Sequence, residues 1–258
     1  KVSGLGPTDE PGIFCAISDE RGEVLFLDGA GGGAIVRRVL FREKGDFEGV
    51  ELVRKCLYAV RSNGEVFEID RWKTDKPQIE SFKTFLSKTD DVEGLGYDKK
   101  RNALLLACKG DPDSTYARRI YAFDLRKKQL DSIPVFNINP LEVNELLPYL
   151  DQEKHHYFSP SGIAVHPITG DVYVLSTALK RLDVAGEPLP AHMLVAHAGD
   201  DADPPVAEVE EMRHREIRGP AVVEREAVDP EPGRGIVDGD DLHPATGETA
   251  VDVVRIAA

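Results

Sequence analysis

The chain has 258 residues, 41% of them hydrophobic, which is enough for a sizeable core in one large domain or a repeat fold. Its formal net charge of -14 argues against nucleic acid or an anionic membrane surface as partner, and it permits cationic ligands, divalent metals included. No apolar run approaches the roughly 18–20 residues of a membrane span. Cys15, Cys56 and Cys108 lack CxxC spacing and support neither a disulfide framework nor a zinc site.

The chain opens at Lys1 rather than Met and shows no signal peptide, so it reads as a processed or trimmed product. A four-residue step then recurs. "SGLG" starts at Ser3, "EGVE" at Glu48, "EGLG" at Glu93 and "SGIA" at Ser161, with 45 residues between each of the first three. The last interval is 68, and "NPLEVNELLPYLDQEKHHYF" (Asn139–Phe158) accounts for the excess. Its leucine spacing predicts a short helical insertion.

Each step is followed by a second apolar run: "IFCAIS" from Ile13, "CLYAVRS" from Cys56, "ALLLAC" from Ala103 and "DVYVLS" from Asp171. A third run ends in aspartate each time, at Asp28, Asp70, Asp124 and Asp183. A fourth follows: "AIVRRVLF", "PQIESFKTF", "KQLDSIPVFNI" and "EPLPAHMLV". All are short, rich in β-branched and aromatic residues, and joined by turn sequences such as "ERGE", "SNGE" and "ITGD". Four short strands per repeat of about 45 residues predict an all-β fold, a β-propeller of four-stranded antiparallel blades. Four blades are recognisable over 1–197, an incomplete ring, with the insertion between the third and the fourth.

The ordered run from "SDERGEVLFLD" through "GDFEGVELV", "DVEGLGYDKKRNALLLACKGDP" and "PSGIAVHPITGDVYVLS" resembles the SdiA-regulated, YjiK-like β-propeller family of bacteria, from about Val2 to Val195. The resemblance implies an exported protein of the periplasm or cell envelope, with peripheral or lipoprotein-type membrane attachment through an N-terminal segment. It also implies a link to calcium response in one branch, and no established catalytic activity. The family continues with further blades opening on a "PEGI"-like step, and nothing of that kind follows Val195. After Thr177 the chain has no Ser, Asn, Gln, Cys, Phe, Trp or Tyr. Residues 198–258 therefore read as an acidic low-complexity tail: a disordered extension, a degenerate blade or an out-of-frame translation.

In a propeller the first strand of each blade lines the channel, and a glycine there lets neighbouring inner strands crowd together. Glu48 and Glu93 are expected at one level of the axis, where two carboxylates repel unless a cation intervenes. Calcium is the expected ion, with Glu48 and Glu93 as its ligands. The loops after each second strand add Asp19, Glu20, Arg61, Asn63 and Lys109 around the same mouth as ligand-binding residues, and Arg61 or Lys109 is the alternative counter-charge. His155 and His156 read as a solvated pair, and "GAGGGA" from Gly29 as a hairpin loop, since no helix follows it to cradle a phosphate. Three functions stay open. One is a module binding a small ligand or protein, calcium-responsive. The second is a calcium-dependent hydrolase of the lactonase or phytase kind, which needs a general base such as Asp19 or Glu20. The third is a protein–protein scaffold.

Overall fold

The computed structural model describes residues 1–113, 115, 117–145 and 158–176, together with the strands at 193–197, 208–212 and 252–257. Blade 1 is β1 (Val2–Pro7), β2 (Ile13–Ser18), β3 (Gly22–Asp28) and β4 (Ala34–Arg42), each strand antiparallel to the next. Blade 2 repeats the order with β5 (Phe47–Val53), β6 (Cys56–Arg61), β7 (Val66–Asp70) and β8 (Gln78–Phe82). Blade 3 has β9 (Val92–Asp98), β10 (Ala103–Cys108) and β11 (Arg118–Asp124). Its outer edge is split into β12 (Gln129–Leu130) and β13 (Phe136–Ile138), both paired with β11. The break falls at Pro134, which has no N–H for a ladder bond. The aspartates that end the third strands cap the turns beyond them. Asp28 accepts from the Ala30 amide, Asp70 from that of Arg71, and Asp124 from those of Arg126 and Lys127.

The fourth sheet opens with β14 (Pro160–Val165) and β15 (Val172–Ser176) as an antiparallel pair. The strand beside β15 is β18 (Asp252–Ala257), followed by β16 (Met193–His197), parallel to β18, and β17 (Glu208–Met212). The third run expected to end at Asp183 lies outside the described residues. A helix, α1 (Pro140–Glu145), follows β13, while the rest of the insertion, with His155 and His156, also lies outside them.

The inner strands β1, β5, β9 and β14 pack in sequence. Buried apolar clusters fill each gap. Phe26, Phe47 and Trp72 lie between blades 1 and 2, Leu104 and Phe123 between blades 2 and 3, and Ile163 and Phe158 against blade 3. The Gly of each four-residue step sits where inner strands touch. A Cβ on Gly49 would stand 2.4 Å from the Leu95 Cβ, and one on Gly94 would stand 3.0 Å from the Ile163 backbone nitrogen. Because Leu95 is a packed core residue and cannot retreat, Gly49→Ala is expected to cost about 1–3 kcal/mol through overpacking alone. A denaturant titration checks this, and an unchanged midpoint would mean that the strands do not crowd there.

Candidate functional site

The Glu-Gly steps are β-bulges. Phe47 pairs with Arg61 and Gly49 with Val60, which leaves Glu48 as the extra residue. On β9 Glu93 is skipped between Val92 and Gly94, and on β14 Ser161 between Pro160 and Gly162. A bulge bends its strand and re-aims the extra side chain, so the same device recurs in successive blades at the same end of the channel.

A backbone rail fixes the surrounding loops. The amides of Asp19, Ser62 and Lys109, each just past a second strand, donate to the carbonyls of Lys1, Asp46 and Asp91 at 3.3, 2.9 and 2.9 Å. The next blade is tied on by Phe47 N–H to the Asp19 carbonyl (2.9 Å) and Val92 N–H to the Ser62 carbonyl (2.8 Å). These bonds place five carboxylates at the mouth, on Asp19, Asp46, Glu48, Asp91 and Glu93, against the ammonium groups of Lys1 and Lys109.

Carboxylate oxygens of Asp19, Asp46 and Glu48 lie within 4.8 Å of one another. Burial pushes the Glu48 carboxyl up to about 7; repulsion from Glu93, Asp46 and Asp19 adds to this, and the Ser3 hydroxyl pulls the other way. Asp46 accepts a 2.6 Å hydrogen bond from Ser62 Oγ, and Asp19 pairs with Lys1 Nζ at 2.9 Å. Glu93 is held by Lys109 Nζ at 2.8 Å. Burial works against the Lys109 charge, yet the hydrogen bond and charge of Glu93 keep its pKa above that of ordinary lysine.

Of the residues expected at the mouth, Asp19 and Glu48 converge and Glu93 repels Glu48 from the neighbouring strand. Lys109 is the counter-charge of Glu93. Arg61 instead binds Glu65 at 3.1 Å and stacks over Phe47. Asn63 Oδ1 accepts the Glu65 amide within its own turn. Glu20 accepts the Gly45 amide through its carbonyl and lines a cleft of about 530 Å³ with Asp19, Arg21, Glu43 and Asp46. Asp46 is the converging carboxylate that the sequence analysis does not select. The signal was present, since Asp46 and Asp91 precede the two Glu-Gly steps at the same offset.

Solved structures similar to this chain include the glutaminyl cyclase of Myxococcus xanthus (12% identity, 67% of this chain and 66% of that one, TM-score 0.46). A nidogen/laminin complex (12%, 69% and 58%, TM-score 0.47) and the RRP9 WD40 repeats (16%, 69% and 47%, TM-score 0.40) are similar as well. The chain thus spans between about half and two thirds of the length of these structures. No curated protein matches it. The family model described as SdiA-regulated matches residues 1–208, a span that holds all four inner strands and the whole acidic mouth, and the chain belongs to that family.

Proposed function

We propose that the protein is a ligand-binding propeller module whose acidic mouth takes a divalent cation, calcium first, on Asp19, Asp46 and Glu48, with Glu93 beside them. One observation carries this reading: three carboxylate oxygens within 4.8 Å of one another around a group as hard to ionise as Glu48. Oxygens on opposite sides of a calcium ion stand about 4.6–5.2 Å apart, twice the bond length, so one ion can touch all three. Its charge would offset the burial, and the added repulsion, that hold the Glu48 carboxyl up to about 7. Because Lys109 already neutralises Glu93, the ion would lean on Asp46 and Asp19 rather than sit symmetrically between the two glutamates. A location in the cell envelope, with peripheral or lipoprotein-type attachment, rests on the family resemblance and belongs to the same proposal.

The test is a thermal melt at about pH 8 with calcium or chelator. Calcium at about 100 times its Kd should stabilise the parent by about 2.7 kcal/mol, because it binds the folded state alone. Glu48→Gln combined with Asp46→Asn should remove the rise and leave the chelator melt a cooperative one. Near pH 5 the rise should shrink, since protons then compete for Glu48. An unchanged midpoint for the parent in millimolar calcium would leave Lys1 and Lys109 as the counter-charges among the described residues. A second reading, a cation-dependent hydrolase of the lactonase or phytase kind, is favoured by one fact: a carboxyl titrating near 7 suits a general base at neutral pH. Lactone or phosphate-ester turnover that vanishes in Glu48→Gln would separate it from a binding module.

A further inference from the structure

The loops after each second strand form the acidic mouth. Successive strands are antiparallel, so the turns after each first and third strand lie at the opposite end. There the β5–β6 turn and the loop after β7 line a cleft of about 310 Å³ with Arg54, Lys55, Arg71 and Lys73, and Asp9 and Asp70 are its acidic residues. Lys73 is matched by Glu10 at 3.1 Å and Asp9 at 3.9 Å. Lys55 and Arg71 have no side-chain partner among the described residues, and Arg54 has only the neutral Asn102, at 3.2 Å. Three cations are thus left with one further carboxylate, Asp70, on a chain whose net charge is -14. The adjoining turns of blade 3 add exposed Lys99, Lys100 and Arg126 at the same end.

Two further observations point to a ligand. Arg54 and Arg71 both hold left-handed backbone, with φ of 58° and 50°. That conformation is uncommon for a long side chain and is better suited to Gly, Asn or Asp. The corresponding turn of blade 3 carries Asn102 in it, at 49°. Blade 2 places an arginine there instead, and strained positions of this kind cluster where ligands are clamped. The cleft is also rigid. Trp72, which lines it, is 4% exposed, stacks on Phe26 at 4.6 Å and donates its indole N–H to the Lys55 carbonyl at 3.0 Å. That bond ties together the two turns that carry the cations, so the site is formed before anything binds and the ordering cost of binding is small. We propose that this cleft binds the dianionic head of a phosphate monoester, held by Arg54, Lys55 and Arg71. A guanidinium offers a planar fork of donors that matches two phosphate oxygens, and a lysine adds a compact charge. The volume is near the lower end for ligand pockets, about 300 Å³, which suits a small ester. The site lies apart from the acidic mouth and does not depend on a cation there.

Trp72 is the one tryptophan of the chain, so tryptophan emission reports on this cleft. Glycerol phosphate added to the 258-residue protein in calcium-free buffer, at constant ionic strength, should change that emission saturably in the millimolar range or below. Dimethyl phosphate, a monoanionic diester, should bind more weakly. Arg54→Asn and Arg71→Asn should each weaken binding by about 10–100-fold, the effect of losing a hydrogen bond to a charged group. Their melting midpoints without ligand should hold or rise, because asparagine tolerates left-handed backbone. Lys76→Gln, an exposed cation of the same loop outside the cleft, should leave binding unchanged. Phosphatidylcholine vesicles containing phosphatidic acid present the same monoester on a lipid. A response to these vesicles but not to glycerol phosphate would assign the head group to a membrane surface, and the reverse would assign it to a soluble ester. No saturable change with either probe, an equal response to sodium chloride, or binding that survives both asparagine variants would overturn the site.

Discussion

Phe47→Ala is expected to destabilise the protein by about 3–5 kcal/mol, the range for emptying a buried aromatic site. Phe47 has no exposed surface. Its ring meets Phe41 edge-on at 5.2 Å and Phe67 at 5.4 Å, lies under the Arg61 guanidinium, and covers Gly45 so closely that a Cβ there would clash with it. None of these neighbours can collapse into the space without breaking the blade 1–blade 2 junction. The residue also sits between Asp46 and Glu48, and its amide is the bond to the Asp19 carbonyl. Losing the ring should therefore loosen all three carboxylates together. A denaturant titration measures the stability loss, and a parallel loss of any calcium-induced rise in melting temperature measures the functional one. Full stability in the alanine variant would contradict the packing described for this junction.

Glu51→Gln is expected to stabilise the protein, by on the order of 4 kcal/mol at about pH 8, from the 1.36 kcal/mol carried by each unit of pKa displacement. Glu51 is a buried carboxyl on β5. Burial pushes it up to about 8, against a weaker pull from a hydrogen bond with the Tyr97 backbone. A carboxyl raised in the folded state favours folding at pH below its ordinary 4.5, and that advantage is lost as pH rises towards 8. Gln keeps the shape and the acceptor oxygen and removes the ionisation. The variant should accordingly match the parent near pH 4.5 and exceed it increasingly above pH 5–6. Parallel stability–pH curves for the two proteins would show that Glu51 ionises in the folded protein without cost.

Much of the architecture was legible because the repeat is written in residue types with mechanical roles. Gly49 and Gly94 are required by close strand approach, the third-strand aspartates by turn capping, and the apolar runs by burial between blades. The Glu-Gly step was visible as a pattern, but its physical cause, a bulge with Glu48 or Glu93 as the unpaired residue, depends on cross-strand register, which one strand's sequence does not carry. Asp46 went unselected for a related reason. Its convergence with Asp19 is made by the Phe47 amide bond between two blades, a contact across 28 residues of chain. Arg61 and Asn63 stood in the right loop, but the local Glu65 engages both, and a partner two or four residues away prevails over one across a channel. Glu51 was hidden by alternation, since a glutamate between Val50 and Leu52 reads as an outward residue of a half-buried strand. Its counterparts Gly6 and Gly96 show that this position faces a crowded interior instead.

Calorimetric titration of calcium into the parent near pH 7, in two buffers of different ionisation enthalpy, tests the cation at the acidic mouth most directly. The expected result is saturable binding at one site with a Kd of about 10⁻⁴–10⁻³ M. It should come with release of a fraction of a proton, because Glu48 is partly protonated at that pH and must ionise to bind. Both should disappear in Glu48→Gln. No saturable heat at millimolar calcium, or binding that releases no proton and survives Glu48→Gln, would contradict a cation held by Asp19, Asp46 and Glu48.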